Sequence, residues 1–209
     1  MASYDPIAGL YAQHIYGELK DKPFDREILD RFAERVRGLG PVCDLGCGPA
    51  QVARYLRDWG VDAFGLDLSR GMLVEAARLN PDIALMQGDM FSLGIRSGSL
   101  AGIAAFYSII HAPRDRVVAV LTEMRRVLRG DGCLLMSFHL GAEVVHATEF
   151  HGQAVDLEAT LFTTAEMTGY LETAGFTIGE AMEREPYPPT VEYQSRRGYV
   201  VARRPGRAS

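Results

Sequence analysis

The chain has 209 residues, 47% apolar and 23% charged, enough to bury one sizeable core and too evenly mixed for a disordered or low-complexity chain. Its 27 acidic and 22 basic residues give a formal charge of −5, which weighs against a nucleic-acid partner; Lys20 and Lys22 are the only lysines. No apolar run reaches the ~18 residues of a membrane span, and the N-terminus lacks a basic segment followed by an apolar one, so a cytoplasmic chain without membrane contact is expected, with Cys43, Cys47 and Cys133 reduced.

Tyr4 to Pro23 carries Tyr11, His14 and Tyr16 beside Ile7, Leu10 and Ile15, an amphipathic pattern ahead of the first strand. Ile28, Leu29, Phe32, Ala33 and Val36 predict a helix over Asp25 to Gly38, closed by Gly38 and Gly40. Pro41 to Leu45 then reads as a short strand that runs into the turn Gly46-Cys47-Gly48-Pro49-Ala50. A helix with Val52, Ala53, Leu56 and Trp59 follows, stopped by Gly60, and Val61 to Leu68 is the second strand. The alternation continues with a helix from Arg70 to Asn80, a strand from Ile83 to Met86, and a strand from Leu100 to Ser108 apolar on both faces. A helix over Asp115 to Arg129 and a strand over Cys133 to Phe138 come next. Gly141 to Phe162 breaks the rhythm, before a helix from Thr164 to Ala174 and strands near Phe176 to Glu183 and Tyr193 to Ala202. Such alternation predicts an α/β fold, a mainly parallel sheet covered by helices on both faces, with an antiparallel final pairing because no helix separates the last two strands.

In an open parallel sheet, ligands bind beyond the carboxyl ends of the strands, where Gly46 and Gly48 fall. Glycines there are expected to let backbone amides approach a ligand. A dinucleotide fingerprint would need a third glycine three residues on, but Gln51 stands there, so hydride transfer is disfavoured. Asp44, two residues before the turn, would repel a pyrophosphate and suits a ligand with a positive amino group. Asp67 ends the second strand about 20 residues after the turn, where a carboxylate accepts the hydroxyls of a ribose. Asp89, after the third strand, is placed for an adenine amine, and Met72 and Met90 could sandwich the base. Structural alternatives exist for each: Asp44 bonding the turn's own amides, Asp67 capping the next helix, Asp89 in a loop, Met72 in the core. Amino group, ribose and adenine without phosphate describe S-adenosylmethionine.

The segments Val42-Cys43-Asp44-Leu45-Gly46-Cys47-Gly48-Pro49-Ala50 and Gly65-Leu66-Asp67-Leu68-Ser69, with Gly88-Asp89-Met90, Arg126 to Gly132 and Phe162 to Glu166, resemble in order the class I S-adenosylmethionine-dependent methyltransferases. The resemblance implies a Rossmann-like three-layer α/β/α sandwich with a seven-stranded, mostly parallel sheet whose last strand is antiparallel. One domain over 1–209 is implied: an N-terminal helical lid (1–40), a cofactor core (41–139), a substrate-covering insertion (140–162) and a C-terminal helix and hairpin (163–209). Asp44, Gly46, Cys47, Gly48, Asp67, Leu68, Met72, Asp89 and Met90 would surround the cofactor, with Tyr107 and the lid residue Tyr11 beside them. Ala50 stands where many members have a third glycine.

Methyl transfer is an in-line displacement that asks the protein to align the acceptor and exclude water, and a protonated acceptor also needs a base. His139 and His111 follow strands on the ligand side and are the expected candidates, each with a structural alternative. His14, His139, Glu143, His146 and Arg196 are expected to face the acceptor, and Glu143 and His146 would share a face if their segment were helical. No metal is expected. The function that follows is transfer of a methyl group to the oxygen, nitrogen or carbon of a small molecule by a monomer or homodimer. The alternative is a non-catalytic cofactor-binding module or partner subunit.

Overall fold

The computed structural model describes residues 4–206; residues 1–3 and 207–209, the extreme ends of the expected lid and C-terminal unit, lie outside the described residues. Strand β1 (Val42–Leu45) is buried along its whole length, as a central strand must be. It pairs in parallel with β2 (Ala63–Asp67) and β4 (Leu100–Phe106); β2 pairs in parallel with β3 (Leu85–Gln87), and β4 with β5 (Leu128–His139). The last two strands of the sheet, β8 (Thr177–Arg184) and β9 (Arg197–Arg203), complete the order β3-β2-β1-β4-β5-β9-β8, with β9 antiparallel to both neighbours. This is the expected seven-stranded sheet.

Side chains alternate across it. Cys43, Leu45, Ile103, Ala105, Leu134 and Met136 join one buried cluster with α5 (Val117–Val127) and α6 (Thr164–Thr173). Val42, Ala104, Leu135 and Tyr199 join the other with α2 (Pro23–Val36) and α3 (Gln51–Asp58). The helix α4 (Arg70–Leu79) follows β2, and Ser69 caps it by accepting from Met72 N. Thr163 and Glu166 form a capping box on α6. Among the described residues no helix is long and apolar enough to cross a membrane.

Three departures from the expected elements have local causes. Strand β5 begins at Leu128, directly after α5, because Leu128 already pairs with Leu100. Strand β9 begins at Arg197 rather than Tyr193, since Ser195 N turns back to Tyr193 O at 3.0 Å. The segment from Gly141 to Phe162 holds an antiparallel hairpin, β6 (Val144–Phe150) and β7 (Gln153–Thr160), with a register shift between Ala147 and Glu149, forming its own two-stranded sheet. Charged residues and histidines on its exposed face obscure a strand period carried by Val145, Ala147, Val155, Leu157 and Ala159.

The N-terminal segment, a 3-10 turn (Asp5–Ile7) followed by α1 (Ala8–Ile15), lies against α4. Asp5 Oδ1 accepts Gly71 N at 2.9 Å and the Ser69 hydroxyl. A Cβ on Gly71 would sit 3.0 Å from the Asp5 backbone, so a side chain here would push the two segments slightly apart. The hairpin tip meets the same segment, with Phe150 stacked on Tyr11 at 5.5 Å and His151 on His14 at 3.7 Å.

Beneath α2 and the β8–β9 connection lies a buried ion network. Arg184 Nη2 donates to Asp25 Oδ2 at 2.9 Å and to Glu192 Oε2 at 3.0 Å; Arg197 and Lys22 approach Glu192 at 3.4 and 3.5 Å, and Lys22 donates to Glu18 at 2.6 Å. Three cations meet three carboxylates. Burial alone would raise the Glu192 carboxyl, but the Arg184 guanidinium and the Tyr187 amide outweigh it and hold it down at about 2. Stability from Glu192 is therefore complete above its ordinary value of 4.5 and is lost as pH falls toward 2. Arg184→Met leaves the buried Asp25 carboxylate without its cation and Glu192 with Lys22 and Arg197 alone, and is expected to cost about 3–5 kcal/mol, read as a lower midpoint in urea unfolding at pH 7.

Candidate active site

The site begins where β1 and β2 end. Gly46 and Gly48 have φ of +70° and +52°, and Ala50 shares the left-handed region at +65°, an uncommon conformation for a residue with a Cβ. A Cβ on Gly46 would sit 2.4 Å from Ser108 Cβ, so the turn is pressed against the end of β4. Gly48 is freer, its nearest neighbour being the ring edge of Tyr11 at 3.8 Å.

The turn's amides do not face a ligand as expected. Gly46 N and Cys47 N donate to Leu66 O at 2.7 and 3.0 Å, and Gly48 N to Asp67 Oδ2 at 2.8 Å. What the glycines leave open is their bare Cα surface. Cys47 is buried and its sulfur packs back toward Gly65.

Asp67 holds the site together from the end of β2, accepting Gly48 N with one oxygen and Ser69 N with the other at 2.8 Å. Ser69, not Asp67, caps α4. Burial raises the Asp67 carboxyl and these two amides lower it, leaving it above its ordinary value. Asp44 is 2% exposed and turns under the loop, where Oδ2 accepts Ala53 N at 2.9 Å. Its direct partner is thus the first turn of α3 rather than open space, and burial pushes its carboxyl up to about 7 against that hydrogen bond. A carboxylate beneath this helix start opposes a pyrophosphate there. Asp89 follows β3, half-buried, with Oδ1 accepting Phe91 N at 2.9 Å. Met90 is half-buried against the core, Leu68 is exposed, and Met72 is buried on the inner face of α4, its structural alternative.

The two favoured histidines have distinct surroundings. His111 follows β4; its Nδ1 lies 3.0 Å from Glu158 O on β7 and its Nε2 3.2 Å from the hydroxyl of Tyr4. A carbonyl only accepts, so Nδ1 carries the proton and Nε2 presents its lone pair. Loss of water around the ring lowers its pKa below 6.5, opposed by the Glu158 carbonyl and Asp67. Tyr4, with its phenol pushed up to about 12 by burial and by Asp67, stays a donor. His139 ends β5, tilted on Tyr107 at 5.1 Å and edge-on to Tyr193 at 5.9 Å. Burial first, and then Arg197, lowers its pKa to about 3. Such a ring is a poor base at neutral pH, so His111 takes precedence over His139. Tyr107 is itself held at φ +53°, and its phenol reaches Asp25 and Tyr199 at 3.4 and 3.3 Å.

The remaining expected residues do not converge. Glu143 and His146 lie at and in a strand, so the helical face that would have joined them does not form; Glu143 accepts Ala142 N, and His146 faces Asp156 and Glu158 on the hairpin's exposed side at 3.3 and 3.5 Å. His14 stacks on the hairpin tip, and Arg196 is drawn outward by Glu183 and Glu185 while Arg197 turns inward. Tyr4 reaches His111, and Ser195 reaches His139 with Arg197 beside it and Lys22 on the far side of Glu192; Lys22 and Ser195 have no local pattern that marks them, because long-range packing brings them there. Among the described residues, no group of three His, Cys, Asp or Glu side chains could hold a metal ion.

Gly46→Ala combines a left-handed Cβ with overlap on Ser108 and is expected to destabilise the fold by about 2–5 kcal/mol, whereas Gly48→Ala carries only the backbone cost of about 1–2 kcal/mol. Thermal melts of the two variants should separate clearly, Gly46→Ala melting lower.

Residues 42–132 match the methyltransferase domain family. The chain is 34% identical over 117 residues to a demethylmenaquinone methyltransferase of Beutenbergia cavernae, covering 56% of this chain and 47% of that protein. It is 40% identical over 137 residues to a dTDP-3-amino-3,6-dideoxy-alpha-D-glucopyranose N,N-dimethyltransferase of Streptomyces fradiae, covering 62% and 52%. It thus spans about half the length of these curated relatives. A solved S-adenosylmethionine-dependent methyltransferase of Methanosarcina mazei shares the fold, with a TM-score of 0.71 at 15% identity over 79% of this chain and 92% of that one. With the Gly46, Cys47 and Gly48 amides spent inside the protein and Asp44 buried under α3, this turn offers no cradle for a pyrophosphate, while Asp67 keeps lone pairs beyond its two amide bonds. Residues 42–132 thus match a methyltransferase domain, in a chain with the fold of the class I S-adenosylmethionine-dependent methyltransferases, whose cofactor is S-adenosylmethionine.

Proposed function

We propose that this protein transfers a methyl group to an oxygen, nitrogen or carbon of a small-molecule acceptor, with His111 as the base where the acceptor is protonated. The observation that carries the reading is the meeting of Asp67, the Gly46–Gly48 turn and the Nε2 lone pair of His111 at one end of the sheet. S-adenosylmethionine supplies, when bound, an electrophilic methyl group on a positively charged sulfur. Asp67 would accept the ribose hydroxyls with its remaining lone pairs, while its bonds to Gly48 and Ser69 keep it oriented. The Tyr11 ring, edge-on to Gly48 and backed by Phe150, keeps water out. His111, held by Glu158 O, would take the acceptor's proton on Nε2 in place of the hydrogen bond it now receives from Tyr4. The inner hairpin face, with Val145, Ala147, Val155 and Leu157 half-buried, supports an acceptor with an apolar body. The small-molecule names of the curated relatives support the same class.

Calorimetric titration tests the cofactor half: S-adenosylmethionine and S-adenosylhomocysteine should bind in the micromolar range and NADH should not. Asp67→Asn should weaken both sulfur nucleosides by roughly 5–150-fold, the equivalent of about 1–3 kcal/mol. Undiminished affinity in a folded variant removes Asp67 from the ribose. Because His111 must be neutral to accept a proton, kcat/KM for a protonated acceptor found by screening should rise with pH along a limb centred below 6.5. His111→Ala should abolish that limb and lower turnover by roughly 10²–10⁴ with cofactor affinity intact; an unchanged limb assigns the base elsewhere.

A further inference from the structure

We infer that Arg197 and Ser195 fix His139 as the tautomer protonated on Nε2, so that His139 serves as a neutral hydrogen-bond donor selecting acceptors with a lone-pair oxygen near the methylated atom. The selectivity half rests on the methyltransferase reading; the tautomer does not.

Among the described residues Ser195 Oγ has two partners, Arg197 Nη1 and His139 Nδ1, the latter at 2.6 Å. A guanidinium has no acceptor, so the Arg197 contact occupies a lone pair of the serine oxygen. Donation of the serine's own hydrogen to its other partner, His139 Nδ1, pairs every group at this junction, whereas a second accepted bond would leave that hydrogen without a partner among the described residues. In a neutral imidazole whose Nδ1 accepts, the proton sits on Nε2.

Arg197 cannot turn away. It is 2% exposed, with Nη2 donating to Tyr193 O at 2.7 Å and its charge met by Glu192 at 3.4 Å. The His139 ring is likewise held between Tyr107 and Tyr193. A second proton on the ring would place imidazolium beside Arg197 and Lys22, and burial opposes it further, so the neutral form persists at physiological pH. His111 carries the opposite tautomer, its lone pair on Nε2. One histidine therefore offers a lone pair and the other an N–H. A molecule complementary to both carries a protonated nucleophile close to a carbonyl, carboxylate or similar oxygen. An ammonium group facing His139 would meet a donor and the positive charge of Arg197, with no lone pair to receive it.

The test is a long-range proton–nitrogen correlation spectrum of the full nitrogen-15-labelled chain at pH 7, with the His139 signals assigned by their loss in His139→Gln. The wild type should show His139 protonated on Nε2 and bare on Nδ1. Ser195→Ala should shift the ring toward the Nδ1-protonated form, and Ser195→Thr, which keeps the hydroxyl, should restore the wild-type pattern. Benzoate, which has only lone pairs to offer, should move the Nε2 proton downfield, and benzylammonium should leave it in place. Protonation on Nδ1 in the wild type, or an unchanged spectrum in Ser195→Ala, overturns the tautomer assignment. A response to benzylammonium, or none to benzoate, overturns the selectivity. The spectra require no cofactor, so failure of S-adenosylmethionine to bind by calorimetry would sink the methyltransferase reading while leaving the tautomer standing.

Discussion

The carboxylate of Asp67 is the joint on which the loops at the carboxyl ends of β1 and β2 turn. With one oxygen on Gly48 N and the other on Ser69 N, it sets the spacing between the loop that leaves β1 and the start of α4. Everything nearby inherits that spacing. Ser69, so placed, caps α4 and also donates to Asp5, which docks the N-terminal segment over the turn. The same charge reaches Tyr4 and His111, raising the proton affinity of both. One residue at a strand end thus shapes the loop geometry, the seating of a separate segment and the protonation of a candidate base.

The opposite end of the cleft is governed by charges that are buried and balanced. Lys22, Arg184 and Arg197 share Glu18, Asp25 and Glu192, and each carries hydrogen bonds that offset the loss of water. An apolar replacement of the whole set could be as stable, so its value lies in what it positions. It holds Tyr107 between two cations, at 5.7 Å from Lys22 and 5.5 Å from Arg197, and it fixes the arginine that contacts Ser195. Burial lowers the proton affinity of both histidines, and their neighbours separate them: the Glu158 carbonyl and Asp67 work against burial at His111, while Arg197 and Lys22 add to it at His139 more than Glu192 offsets.

The strands, the helices and the glycine turn were legible because each rests on a short-range pattern. Val42 to Leu45 reads as a buried strand, Asp67 and Asp89 fall at strand ends, and Gly46 and Gly48 mark the turn, all as observed. The pattern says which residues meet at the strand ends but not which way a backbone amide or a carboxylate points. Hence the turn's amides face β2, and Asp44 faces α3. The hairpin over Val144–Thr160 escaped notice because its alternation is shallow, with alanines at Ala147 and Ala159 and charges on the outer face. Ser195 and Lys22 carry no local pattern: they acquire their places through partners more than 50 residues away, Ser195 with His139 and Lys22 with Glu192, and Tyr4, an aromatic of the N-terminal segment, meets His111 in the same way.

The N-terminal segment and the hairpin close over neighbouring parts of the cleft, and they are joined to each other. Tyr11 stacks on Phe150, His14 on His151, and His111 is bonded to Tyr4 from one and Glu158 from the other. A seam shared in this way makes the two covers a single gate. Displacing either one breaks stacking contacts made by the other, so neither is an independent flap, and a substitution at the seam, at Phe150 or His151, is felt in a helix more than 130 residues earlier in the chain.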